Sequence, residues 1–152
     1  MATPALSLTA RALRLLSARE HSRAELERKL APFEEETGSL AKVLDTLQDK
    51  DFINEGRVVD SLVHRRAGKL GTARIKQELH AKGLETEAIA EALSQLRTTE
   101  LERAKEIWRK KFGTMPTDAG ERGKQMRFLA SRGFGGDTIH RVLQGSDDDG
   151  AL

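Results

Sequence analysis

The 152-residue sequence contains no cysteine and no tyrosine, and Trp108 is its single tryptophan. Without cysteine there can be no disulfide, no thiolate metal site and no thiol nucleophile. No stretch approaches the length of a membrane span, and Met1 to Thr9 holds no apolar core long enough for a signal peptide. A cytoplasmic protein is expected. Catalytic signatures are missing as well. There is no Gly-x-Ser-x-Gly nucleophile elbow and no Gly-x-x-x-x-Gly-Lys-Ser/Thr phosphate loop. His21, His64, His80 and His140 are not spaced like a His-Glu-x-x-His metal site, and they read as surface or helix-end histidines. Arg132-Gly133-Phe134-Gly135-Gly136 is glycine-rich but follows no strand pattern, so it reads as a helix cap and turn. The expectation is a non-enzyme that needs neither cofactor nor metal.

Charge and helix formers take the place of what is missing. Charged residues make up 33% of the chain and hydrophobic residues 38%, and β-branched runs are scarce. So thin an apolar complement suits many short helices, each burying one stripe. The stripes recur. Ile75, Leu79, Lys82, Gly83 and Leu84 are matched fifty residues later by Gln125, Leu129, Arg132, Gly133 and Phe134. Ile89, Ala92 and Leu93 are likewise matched by Ile139, Val142 and Leu143. A looser copy lies upstream, with Leu26 and Leu30 in the parts of Ile75 and Leu79. Val43, Thr46 and Leu47 there stand for Ile89, Ala92 and Leu93. Each pair is preceded by a triplet at i, i+3, i+4: Ala12, Leu15, Leu16; Val59, Leu62, Val63; and Ala104, Ile107, Trp108.

This self-similarity predicts an all-α fold of three tandem three-helix repeats forming an elongated curved array. The predicted helices are 7–19, 22–32, 38–50, 55–68, 72–82, 86–96, 99–112, 119–132 and 137–144. Ser22-x-x-Glu25, Thr99-x-x-Glu102 and Asp118-x-x-Glu121 read as capping boxes. The expected layout is an N-terminal tail at 1–6, units at 7–53, 54–97 and 98–145, and an acidic disordered tail at 146–152. Leu79, Leu129, Ile89, Ile139, Leu93 and Leu143 should be buried at equivalent places.

Net charge is only +2, but its distribution is uneven. From Arg57 to Lys82 seven basic residues face Asp60 and Glu78, and from Arg103 to Arg141 ten face four acids. These stretches supply the candidate contact residues: Arg57, Arg65, Arg66, Arg74 and Lys76 in the second unit, with Arg103, Arg109, Lys110 and Lys111 in the third. Their chemistry suits phosphate or an acidic protein surface, and weak non-specific DNA binding is expected. Aromatic interleaving for base stacking is thin, since Trp108, Phe112 and Phe128 read as core.

Three segments carry a family resemblance. Ala12-Leu13-Arg14-Leu15-Leu16-Ser17-Ala18-Arg19-Glu20-His21-Ser22-Arg23-Ala24-Glu25-Leu26 resembles the opening of the RecX family. Leu47-Gln48-Asp49-Lys50-Asp51-Phe52-Ile53-Asn54-Glu55-Gly56-Arg57 and Arg74-Ile75-Lys76-Gln77-Glu78-Leu79-His80-Ala81-Lys82-Gly83-Leu84 are similar to later family segments, in the same order. The resemblance implies a monomeric protein that binds the RecA filament on DNA, enters its groove, and suppresses strand exchange, ATP hydrolysis and repressor cleavage. The alternative from the residues alone is a helix-turn-helix DNA-binding regulator over Ser22–Phe52, with Ser39–Lys50 as reading helix. That helix carries Asp45 and Asp49 beside Lys42 and Lys50, which suits a DNA groove poorly.

Overall fold

The computed structural model describes residues 5–144, all of whose regular elements are helical. In chain order they are α1 (Leu8–Ala18), α2 (Arg23–Leu30), α3 (Ser39–Asp49), α4 (Glu55–Arg66), α5 (Thr72–Ala81), α6 (Thr86–Lys111), α7 (Ala119–Ser131) and α8 (Gly136–Leu143). A 3-10 turn at Ala31–Phe33 follows α2. The expected tail at 146–152 and most of the one at 1–6 lie outside the described residues.

One expectation is corrected. The separate helices predicted at 86–96 and 99–112 are a single 26-residue helix, α6. Thr99 does not cap. Its hydroxyl turns back toward the Gln95 and Leu96 carbonyls, as the Thr98 hydroxyl does toward Ser94. Such back-bonding satisfies the side chain without interrupting the ladder, and no Gly or Pro stands between Leu96 and Leu101 to break it. Ser22 and Glu25 form the reciprocal capping box that the sequence suggests. At Asp118 only half of the box forms: its carboxylate accepts from the Glu121 backbone N–H, while the Glu121 carboxylate accepts from the Gln125 amide.

The apolar stripes gather into three cores. α1, α2 and α3 enclose Ala12, Leu26, Leu30, Leu44 and Leu47. α4, α5 and the first half of α6 enclose Leu62, Ile75, Leu79, Ile89 and Leu93. The second half of α6, with α7 and α8, encloses Ala104, Trp108, Leu129, Ile139 and Leu143. The six positions singled out by the repeat register are all buried. Gln125 stands where unit 2 has Ile75. It is buried but satisfied, accepting from the Trp108 indole N–H at 2.8 Å and donating to the Thr114 carbonyl.

The units join by a contact that is made twice. The N-cap of α2, Ser22, donates through its hydroxyl to the carbonyl of Lys82, at the end of α5. The N-cap of α5, Gly71, donates its N–H at 2.7 Å to the carbonyl of Arg132, at the end of α7. Gly83 and Gly133 follow those basic residues with φ of 80° and 94°, a region that costs side-chain-bearing residues strain. Each glycine is also needed for space. A Cβ on Gly83 would meet Ala24 of the unit before, and one on Gly133 would meet Arg74. The second helices of units 1 and 2 therefore each lay their start on the end of the next unit's second helix.

Candidate functional site

Buried ionic groups lock the first of these joints. Glu25 lies at the start of α2 with its side chain only 7% exposed. Its carboxylate accepts from the Ser22 N–H at 3.1 Å, Arg19 at 2.7 Å and Lys82 of unit 2 at 3.2 Å. Burial opposes its charge, but the bonds from Arg19, Ser22 and Lys82 outweigh burial and hold its pKa at about 2. Beside it His21 is buried, and desolvation lowers its pKa, so the neutral ring is favoured. Hydrogen bonding fits Nδ1–H donating to the Arg19 carbonyl, with Nε2 accepting from Lys29 at 3.2 Å.

A folded pKa below the ordinary 4.5 means that Glu25 stabilises the fold fully above pH 4.5. That contribution is lost as pH falls from about 4.5 toward about 2. Glu25→Gln is expected to cost about 2 kcal/mol at pH 7 and much less near pH 3. Urea unfolding at the two pH values measures this; equal losses at both would contradict the ionic account.

Beside this joint runs a cleft of about 320 Å³ between units 1 and 2. Four cations line it: Arg19, Arg65, Arg66 and Lys82, around Leu62 and Ala81. Its one lining carboxylate, Glu78, is engaged by Arg66 at 3.2 Å. Among the described residues Arg65 has no carboxylate partner and reaches the Ser61 carbonyl at 3.4 Å. At the second joint Arg74 donates to the Ser131 carbonyl at 2.7 Å, which sets it beside Arg132. The Arg132 guanidinium and the Lys111 ammonium both lie over the Phe128 ring, at 5.0 and 5.5 Å from its centroid. Lys76 on α5 and Lys110 on α6 are exposed.

The sequence candidates thus divide. Arg65 and Arg66 share the first cleft, while Arg74 and Lys111 both border the Arg132 corner. Arg57 is held elsewhere, by Glu20 and Asp51 at 2.9 Å each. Arg109 pairs with Glu106 one turn away on its own helix. Arg103 faces inward. Its five guanidinium N–H groups go to the carbonyls of Ala67, Leu70 and Leu96 and the hydroxyls of Thr72 and Thr99, at 2.7–3.2 Å. No donor remains for a partner, and burial lowers its pKa. Three cations were passed over in the sequence: Arg19, Lys82 and Arg132. The repeat register carried a signal for the last two, since both precede the glycine of a joint.

The reading helix of the helix-turn-helix alternative is α3. Arg23 of α2 lies across it, bonding Asp45 at 2.7 Å and Gln48 at 2.9 Å. These contacts occupy part of the face that would enter a groove. Among the described residues no group of three His, Cys, Asp or Glu side chains could hold a metal ion. No helix there is long and apolar enough to cross a membrane.

Two family models match this chain: the RecX second three-helix domain over residues 54–93 and the RecX third three-helix domain over residues 98–143. The chain is 54% identical over 144 residues to the regulatory protein RecX of Leptothrix cholodnii, covering 95% of this chain and 92% of that one. The chain belongs to the RecX family. The RecX regulatory protein of Ralstonia nicotianae is 47% identical over 148 residues, covering 95% and 93% of the two chains. The crystal structure of RecX from Lactobacillus salivarius shares the fold, with a TM-score of 0.75 at 23% identity. That match covers 92% of this chain and 94% of the other. The family is one of regulatory proteins, and its second and third three-helix domains match the stretches that hold α4–α6 and α6–α8.

Proposed function

We propose that this RecX-family chain is a non-enzymatic regulator that binds the RecA recombinase filament on DNA and restrains its recombinase, ATPase and coprotease activities. It would act in the cytoplasm, as a monomer, in DNA repair and the SOS response. The observation that carries this reading is the gathering of cations from different units at both joints. Arg19, Arg65, Arg66 and Lys82 meet at the first, and Arg74, Lys111 and Arg132 at the second. Repeated basic sites on a tandem array match a target that is itself regular and anionic. Linked sites of that kind raise avidity without one tight contact. Arg65, Arg66, Arg74, Lys76, Lys110, Lys111 and Arg132 are the residues we assign to the contact face. Arg57, Arg103 and Arg109 are committed to internal or same-helix partners.

The test is RecA-driven ATP hydrolysis on single-stranded DNA with and without the protein. Inhibition is expected, and it should weaken with salt, because screening shortens the field between exposed charges. Single substitutions should be nearly silent, each exposed charge being worth about 1 kcal/mol or less. The combined variants Arg65→Glu/Arg74→Glu/Lys76→Glu and Lys110→Glu/Lys111→Glu/Arg132→Glu should each need at least about tenfold more protein for half-inhibition. Lys42→Glu/Lys50→Glu, on α3, should inhibit like the parent protein. If that variant alone loses activity, the helix-turn-helix reading takes over. No inhibition by the parent protein would reject RecA as the target.

A further inference from the structure

The joint surface of unit 2 has a counterpart in unit 1 that no other unit covers among the described residues. In the register of the repeats Leu15, Lys29 and Phe33 occupy the places of Leu62, Glu78 and Lys82. In unit 2 those three line the cleft that also takes in Arg19 from the unit before. In unit 1 they line a cavity of about 180 Å³ at the end of α2, together with Leu6, Arg11, Arg14 and Leu30. Leu6 and Phe33 are 41% and 46% exposed, so the apolar floor is open to solvent.

Both surfaces are basic, but they differ in their acidic member. Unit 2 sets the Glu78 carboxylate among its cations, where Arg66 engages it. Unit 1 has Lys29 in that place, adds Arg11 and Arg14, and has no carboxylate in the lining. The Arg11 guanidinium is stacked 3.8 Å from the Phe33 ring centroid and held by the Leu6 carbonyl. That one bond uses the Nε–H, which leaves the NH1 and NH2 groups as donors for a carboxylate. The Arg14 guanidinium has no hydrogen-bond or ion-pair partner among the described residues. Among the described residues the Lys29 ammonium contacts His21, whose ring is favoured neutral, and no carboxylate pairs with it.

We propose that the open end of unit 1 is a docking site for an acidic peptide segment carrying one large apolar side chain. The apolar anchor occupies the floor of Leu6, Leu15, Leu30 and Phe33. Flanking carboxylates pair with Arg11, Arg14 and Lys29. The fold already receives a chain segment at the equivalent place in unit 2. This site is separate from the basic faces at the joints and does not depend on the function proposed for them.

The probe is a fluorescein-labelled peptide with a Leu-Phe pair between runs of Asp and Glu, followed by anisotropy with the full chain. Binding is expected to weaken at least tenfold in Arg14→Glu/Lys29→Glu and at least threefold in Phe33→Asp. Circular dichroism verifies that both variants are folded. A control peptide of equal charge with Ser-Ser in place of Leu-Phe should bind at least fivefold more weakly. Equal binding of both peptides would overturn the proposal, because charge alone would then explain it. Unchanged binding by Arg14→Glu/Lys29→Glu would overturn it too, by moving the site to another basic face. So would tighter binding of a short DNA duplex that is lost in the same variant, since the surface would then serve nucleic acid. No binding of the probe at low salt would likewise reject it. The joint variants Arg65→Glu/Arg74→Glu/Lys76→Glu should bind the probe like the parent chain.

Discussion

Arg103→Ala is expected to destabilise the fold by about 2–4 kcal/mol, the range for leaving several partly buried acceptors without their donor. The guanidinium closes off the end of α4, the start of α5 and the middle of α6 at once. It donates to Ala67 and Leu70 just past α4, to the Thr72 hydroxyl, and to the Leu96 carbonyl. The carbonyls at a helix end have no partner within the helix. Removing the side chain leaves them without partners in a partly closed space, at a cost of about 1–3 kcal/mol for each buried group. Arg103→Lys keeps the charge but has a single ammonium in place of a five-donor fork, and should recover less than half of the loss. Chemical denaturation followed by circular dichroism checks both. A loss under about 1 kcal/mol for alanine, the scale of an exposed charge, would mean that Arg103 is a surface residue after all.

Gly133→Val should cost about 2–5 kcal/mol and loosen unit 3 from unit 2. Two effects add here. The φ of 94° places a β-branched residue in strained backbone, worth about 1–3 kcal/mol. The new side chain also drives into the Cβ, Cγ and backbone N of Arg74, and overpacking of that kind costs about 1–3 kcal/mol. Part of the contact is backbone, so a rotamer change of Arg74 cannot relieve it. Gly136→Ala provides the control. Gly136 lies within α8 and nothing is within reach of an added Cβ, so alanine there should be neutral or stabilise by about 0.5 kcal/mol. Beyond the melting shift, limited proteolysis of Gly133→Val should show new cleavage between α5 and α8. If Gly133→Val and Gly136→Ala have the same stability, the joint is not held by close approach at that glycine.

Much of the architecture was legible because helix periodicity and capping are local. The stripe at Ile75 and Leu79, its repeat at Gln125 and Leu129, and the cap at Ser22 can each be read within a dozen residues. Gln125 was legible as a repeat position but not as a buried amide, because its partner Trp108 comes from another helix. The fusion into α6 was missed for a related reason. Thr99-x-x-Glu102 fits a capping box, and the same residues also suit a helix interior once the Thr hydroxyl back-bonds. Only the packing of one continuous helix against both α5 and α8 selects between the two.

The contact residues were the least legible part. Basic side chains cluster in sequence for two reasons that composition cannot separate: to meet a partner, or to satisfy carbonyls and carboxylates within the fold. Arg103 and Arg65 look alike in the sequence. One spends every donor inside, and the other lines a cleft with a single weak backbone contact.

By itself, then, the sequence determined the all-helical class, the threefold repeat, the positions of the buried stripes and the resemblance to the RecX family. These follow from spacing along the chain, and spacing is conserved on folding. Which arginines face outward and how the units join at Gly83 and Gly133 were decided only by the tertiary structure. Each depends on groups brought together from residues 30 to 60 positions apart. No local pattern records such a meeting, because it is set by how the helices pack.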